Sequence, residues 1–166
     1  MSIPAPRARS PLGRRLALSL ALAVVVLDQA SKVWALHHLP SSHGLPFWPG
    51  VLNLQLVLNT GAAFSLFTGL PRLLGLVSLL VSAALLAWIL RRPPAGRWES
   101  LALGFLLGGA LGNGLDRWRL GAVVDFLALV PIQFPVFNLA DVAINLAVVC
   151  FVVHLRPWRR GAEGSP

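Results

Sequence analysis

Four stretches of this chain are long and apolar enough to restrict it to very few folds. They run from Leu16 to Leu36, Leu73 to Leu90, Leu101 to Leu115 and Leu139 to Leu155. A bilayer's hydrocarbon core is about 30 Å thick and takes roughly 20 helical residues to cross. The third and fourth stretches reach that length only when their flanks join them. Composition agrees: 56% of the residues are hydrophobic and 12% charged, where a soluble domain is roughly half apolar and a quarter charged. The chain therefore reads as one membrane-embedded, mainly α domain over residues 1–166. The expected transmembrane helices cover about 14–36, 71–90, 98–116 and 138–156, with extracytoplasmic segments at about 37–70 and 117–137.

The net charge of +8 would suggest a nucleic-acid partner in a soluble protein. Here the basic residues flank apolar stretches, so they read as topology signals and no nucleic acid is expected. Arg7, Arg9, Arg14 and Arg15 precede the first span, Arg91, Arg92 and Arg97 separate the second from the third, and Arg156, Arg159 and Arg160 follow the fourth. The other two connections hold only Arg72, Arg117 and Arg119. The positive-inside rule then places both termini in the cytoplasm. Trp34, Trp48 and Trp118 fall at outer edges and Trp88, Trp98 and Trp158 at inner ones, as interfacial indoles prefer. The first span carries Asp28 and Lys32 and lacks a small-x-small cleavage site, so it reads as a retained helix.

In the first outer connection, Leu52, Leu54, Leu56 and Leu58 alternate with Asn53, Gln55, Val57 and Asn59. That period of two predicts a strand, punctuated at its start by Pro46, Pro49 and Gly50. A small extracytoplasmic β-sheet on the membrane surface is expected from it.

The acidic residues are few and oddly placed. Glu99 and Glu163 lie in polar flanks, whereas Asp28, Asp116, Asp125 and Asp141 lie in or beside apolar sequence. At about 1.5 Å of rise per residue, Asp28 lies about 20 Å above Arg15, Asp141 about 22 Å above Arg156 and Asn113 about 24 Å above Arg97. Asp116 follows one turn beyond Asn113. Three helices thus bring polar groups to one depth in the outer part of the bilayer. Asp125 lies in Val123-Val124-Asp125-Phe126, whose apolar character predicts a dip back toward that depth.

An ionisable side chain at membrane depth is costly and is a functional candidate by default. Asp28 and Lys32 are spaced for an i, i+4 ion pair and read first as structural. Asp116 is a second candidate partner for Lys32. Asp125 and Asp141 are left without an evident basic partner. Two carboxyls held close cannot both ionise, so one keeps its proton. Such a pair supplies an acid and a base in one site, the arrangement of an aspartic protease. Asn138, Asp141 and Asn145 share a helix face, and Asn138 is placed to cap the fourth helix or orient Asp141. Asn113 and Arg117 also share a face, and an arginine can hold peptide carbonyls or a lipid head group. Gly104, Gly108 and Gly112 recur every fourth residue, which suits close helix packing in lipid.

Other chemistries find less support. His37, His38 and His43 cluster without a helical i, i+4 pair or a nearby carboxylate, and read as surface residues rather than metal ligands. Ser31 and Lys32 are adjacent and diverge on a helix. Cys150, the single cysteine, reads as a packing residue. A small proton-coupled transporter is the main rival, since intramembrane carboxylates also form proton relays. It would call for carboxylates near the midplane and repeated halves, and this sequence shows neither. A non-catalytic scaffold is a second rival, disfavoured because Asp125 and Asp141 lack partners.

Five ordered blocks resemble the bacterial lipoprotein signal peptidases, the type II signal peptidases. They are Leu27-Asp28-Gln29-Ala30-Ser31-Lys32, Asn59-Thr60-Gly61-Ala62-Ala63-Phe64-Ser65, Gly108-Gly109-Ala110-Leu111-Gly112-Asn113 with Asp116-Arg117, Gly121-Ala122-Val123-Val124-Asp125-Phe126, and Phe134-Pro135-Val136-Phe137-Asn138-Leu139-Ala140-Asp141. The resemblance implies a four-helix protease of the bacterial inner membrane with a small outer sheet and an active site toward the extracytoplasmic side. Its catalytic pair would be Asp125 and Asp141. Asn59, Asn113, Arg117 and Asn138 would be substrate-binding, and Asp28, Lys32, Asp116, Gly108, Gly112 and Ala140 supporting. The substrate would be a prolipoprotein carrying diacylglycerol on its lipobox cysteine, cut just before that cysteine. Membrane lipids would be its surroundings and the cyclic lipopeptide globomycin its inhibitor, with no metal or organic cofactor. One departure stands out: the segment from Leu127 to Gln133 is short and lacks tyrosine and tryptophan.

Overall fold

A computed structural model describes residues 11–61 and 69–155. Arg7, Arg9, Ala62, Ala63, Phe64, Ser65, Arg156, Trp158, Arg159 and Arg160 lie outside the described residues. Four helices and three strands follow in the order α1 (Pro11–His38), β1 (Leu45–Trp48), β2 (Leu52–Asn59), α2 (Pro71–Arg91), α3 (Arg97–Leu120), β3 (Val123–Leu129) and α4 (Leu139–Leu155). The expected mainly helical architecture with a small sheet is what forms. By length and composition, α1 and α2 are fit to cross a membrane, with mean hydropathies of 1.7 and 2.5 over their best windows. α3 is longer than its apolar stretch because both flanks join it, and the polar groups so added lower its hydropathy. α4 is apolar but shorter, at 17 residues.

α3 is the strut of the bundle and packs against α1, α2 and α4. Small residues make this possible. A Cβ on Gly104 would sit 2.8 Å from the Ala17 carbonyl oxygen, and one on Gly108 would sit 2.6 Å from Val24 Cβ, so α1 touches the backbone of α3 there. On the adjacent face a Cβ on Gly109 would meet the Ala140 carbonyl oxygen of α4 at 2.6 Å. The four-residue glycine period therefore does the packing expected of it, by letting backbones approach in van der Waals contact. Below the polar layer, Ala17, Ala21, Ile89 and Leu107 form a small apolar core.

α3 ends at Gly121, whose left-handed φ of 70° turns the chain into β3 while its N–H donates to the Arg117 carbonyl at 3.2 Å. Glycine adopts that conformation without Cβ strain. The sheet has the order β1-β2-β3, and both pairs are antiparallel. Val57 stands opposite Asp125 and Leu58 opposite Val124. Ala35, Leu39 and Phe126, with Leu54, Leu56, Leu127 and Leu139 around them, seat the sheet on the ends of α1 and α4.

The alternating segment forms strand β2, as its period of two predicts. Its even leucines are not all buried alike. A bulge lies between Leu54 and Val57, which span one residue more than their partners Leu127 and Asp125, and an inserted residue shifts the alternation. Leu54 and Leu56 pack inward, while Leu58 is 56% exposed. The Val123-Val124-Asp125-Phe126 segment does return to the level of the helical polar groups, and it does so as a strand paired along β2.

Candidate active site

The site is assembled at the first turn of α4. Asn138 is the residue before the helix. Its Oδ1 accepts the Asp141 N–H at 3.0 Å, and its own N–H donates to Asp141 Oδ2 at 3.1 Å. This is a reciprocal capping box with aspartate in the place usual for glutamate or glutamine. The same bonds that start the helix therefore fix the Asp141 carboxyl. Asn138 both caps α4 and orients Asp141, the two roles its spacing allowed.

The remaining hydrogens of Asn138 reach inward. Its Nδ2 donates to Asp125 Oδ1 at 2.6 Å and to Asn113 Oδ1 at 3.0 Å. Asn113 Nδ2 donates to Asp141 Oδ1 at 2.8 Å, and Asn59 Nδ2, at the end of β2, donates to Asp125 Oδ2 at 3.0 Å. Each of the four carboxylate oxygens thus accepts one protein N–H. Two carboxyls from different elements are held side by side through one shared asparagine.

Asp125 is 2% exposed. Burial pushes its carboxyl up to about 6, and the neighbouring Asp141 charge adds to the rise, while the Asn59 and Asn138 hydrogen bonds and the Lys32 charge oppose it. A raised carboxyl beside a second one marks a candidate functional site. Among the described residues neither Asp125 nor Asp141 has a cation in salt-bridge contact, as the sequence suggests.

Behind the pair lies a buried ionic group. Lys32 Nζ is 2.9 Å from Asp28 Oδ2, 2.8 Å from Asp116 Oδ2 and 2.9 Å from Asn113 Oδ1. An ammonium only donates, so Lys32 compels the carbonyl end of Asn113 to face it and the amide end to face Asp141. Asp28 Oδ1 also accepts the Ala140 N–H at 2.9 Å, which ties α1 to the first turn of α4. Asp116 Oδ2 accepts the Val124 N–H at 3.1 Å, which ties α3 to β3. Gly112 leaves room for Asp28, since a Cβ there would sit 2.5 Å from Asp28 Oδ2. The polar groups of three helices do meet at one level.

Arg117 donates from Nη2 to the Gly61 carbonyl at 3.1 Å and from Nη1 to the Asn113 carbonyl at 3.4 Å, and its buried Nε has no partner among the described residues. A cavity of ≈ 920 Å³ opens over the pair, with Asn59, Asn113, Arg117, Asp125 and Asp141 in its wall. Asn138 is not in that wall. It is fully buried, because all its polar atoms are spent on the cap, Asp125 and Asn113. Its place among the substrate-binding candidates is therefore corrected to a positioning one.

Sequence reasoning gave no role to Gln29. Its Nε2 donates to Asp116 Oδ1 at 2.9 Å, and its Oε1 accepts from Arg119 Nη1 at 3.1 Å. The available signal was a glutamine inside an apolar span, next to Asp28. Ser31 donates to the Asp28 carbonyl and makes no dyad with Lys32.

Comparison with known proteins places the chain in a family. The family model for signal peptidase II matches residues 20–156. The lipoprotein signal peptidase of Parasynechococcus marenigrum (strain WH8102) is 56% identical, over 89% of this chain and 89% of that protein. That of Synechococcus sp. (strain RCC307) is 55% identical, over 86% and 95%. Two solved structures of a bacterial membrane enzyme, obtained by the in meso method at 2.3 and 1.9 Å resolution, superpose with TM-scores of 0.80 and 0.77. Both are 26% identical and cover 90% of this chain, and the chain covers 92% and 97% of them. The transporter reading finds no support in these matches. With the matched region running from the first helix to the last, the chain belongs to the signal peptidase II family of membrane proteases.

Proposed function

We propose that this protein is an aspartic endopeptidase that removes signal peptides from prolipoproteins, cutting just before a lipobox cysteine that already carries diacylglycerol. The observation that carries the catalytic reading is the pairing of Asp125 and Asp141 through Asn138 at the wall of one cavity. Asp125, raised by burial, is the member that more readily keeps a proton. Asp141, half-buried at the cavity wall, is the base.

In the first step Asp141 takes a proton from water as the water oxygen bonds to the scissile carbonyl carbon. The carbonyl π pair moves onto its oxygen, which takes the proton of Asp125. In the second step the C–N bond of the resulting diol breaks. The cysteine nitrogen leaves with the proton from Asp141, and one diol hydroxyl returns its proton to Asp125. Both carboxyls end as they began, and the scheme needs only water besides substrate. General acid–base catalysis of this kind contributes about 10²–10⁴-fold. Asn59, Asn113 and Arg117, all in the cavity wall, are the polar side chains that hold the substrate.

The same reading covers topology. All four helices span the bacterial inner membrane, with both termini cytoplasmic and the sheet outside. Lipids surround the bundle, and globomycin competes for the cavity. The test is cleavage of a prolipoprotein by purified protein in detergent. Wild type cleaves only the diacylglyceryl-modified substrate, and Asp125→Asn and Asp141→Asn each lose about 10³-fold or more. Retained cleavage in either variant overturns the assignment of the pair.

A further inference from the structure

The surface of α4 has one exception. Its exposed residues Val142, Leu146, Val148, Val149, Phe151, Val152 and Leu155 are apolar, but Asn145 is exposed as well. Asn145 lies one turn from Asp141 on the same face and lines the cavity beside Val142, Leu146 and Val149. Its Nδ2 donates to the Asp141 carbonyl at 2.9 Å. That bond uses one amide hydrogen. Among the described residues no hydrogen bond engages Oδ1, and the cavity wall around Asn145 is apolar, where an unmatched polar atom is costly.

A peptide bond must lie extended between Asp125 and Asp141 to be hydrolysed. The substrate residues just before it are then no longer helical, and their main-chain N–H groups have lost their partners. In an apolar setting each such group needs an acceptor. Beyond the pair, α4 leads away from the sheet, as the signal segment of the substrate must. Acyl chains bring only ester acceptors, so an Oδ1 acceptor suits peptide rather than lipid.

Resting on the catalytic reading above, we propose that Asn145 is a substrate-binding residue whose Oδ1 accepts a main-chain N–H on the signal-peptide side of the scissile bond. The contact forms in ground and transition states alike, so it acts on KM and leaves kcat unchanged.

The test uses synthetic diacylglyceryl-modified lipobox peptides in which one amide before the cysteine is replaced by an ester, at each of four positions in turn. With wild type, one position raises KM about tenfold, the size of a buried acceptor losing its N–H donor. Asn145→Leu raises KM about tenfold on the all-amide peptide, holds kcat within about twofold and shows no further loss at that one ester position. The cycle is repeated with Asn145→Ala, so that a packing fault peculiar to leucine does not decide the outcome. An unchanged KM in both variants, or additive losses at all four positions, overturns this inference alone. No cleavage by folded wild type overturns both it and the catalytic reading.

Discussion

Replacing Asn138 separates folding from chemistry at the site. Asn138→Ala removes the Oδ1 that accepts the Asp141 N–H, a helix cap worth about 1 kcal/mol. It also removes the donor to Asp125 Oδ1, in a residue only 2% exposed. Leaving that oxygen unmatched costs about 1–3 kcal/mol. Asn113 Oδ1 adds little, because Lys32 still donates to it. The total is about 3 kcal/mol, or a fall of about 6–12 °C in the unfolding midpoint. Asn138→Ser restores an acceptor for the cap but no donor to Asp125, so it recovers about 1 kcal/mol. The Asn138 bond holds Asp125 down, so its loss raises that carboxyl further. Both variants should therefore move the alkaline limb of kcat/KM upward, by about one pH unit for the loss of a hydrogen bond to a carboxylate. Thermal unfolding in detergent and pH–rate profiles on lipidated prolipoprotein measure the two effects. An unmoved limb in both variants would refute the pairing role and leave Asn138 only a cap. A downward shift would refute the assignment of the proton to Asp125.

Three further outcomes follow from the geometry. In the native protein Asp125 holds its proton to about 6, against an ordinary 3.8, so the folded state binds that proton more tightly than the unfolded one. Stability then falls as pH rises from about 4 to about 6, and Asp125→Asn should gain up to about 3 kcal/mol relative to wild type across that window in chemical denaturation. A pH-independent difference would count against the raised carboxyl. Lys32→Met leaves Asp28 and Asp116 buried without their cation, and should lose about 3–5 kcal/mol of stability together with cleavage, whereas full activity would contradict the buried triad. Gly112→Ala drives a methyl against Asp28 Oδ2 and Ala140 Cβ, and should lower stability by about 1–3 kcal/mol together with cleavage, while Gly50→Ala, at a turn whose φ of 74° is left-handed but whose surroundings are open, should cost about 1–2 kcal/mol of backbone strain and little activity in the same cleavage assay.

Helical depth was readable from the chain because helices have a fixed rise. Counting from the arginine flanks brings Asp28, Asn113, Asp116 and Asp141 to one level, and Lys32 and Asn113 do meet the others there. The spacing of Asn138 and Asp141 announces a cap by the same local rule. Strand partners are not local, so the pairing of β3 with β2 and the bulge that exposes Leu58 were hidden. Gln29 was missed for a related reason: its value comes from Asp116 and Arg119, far away in sequence. Burial direction was also illegible for Asn138. The family resemblance implied contact with substrate, but the number of partners it satisfies leaves nothing for one.

The apolar wall that the cavity draws from α4, through Val142, Leu146 and Val149, has a consequence for kinetics. In the proposed four-span topology that wall opens to lipid, and substrate arrives by a two-dimensional search within the leaflet. Its effective concentration is then a mole fraction of the bilayer. Adding inert lipid at constant bulk substrate slows cleavage, and crowding the membrane with prolipoprotein saturates the enzyme without changing the aqueous concentration at all.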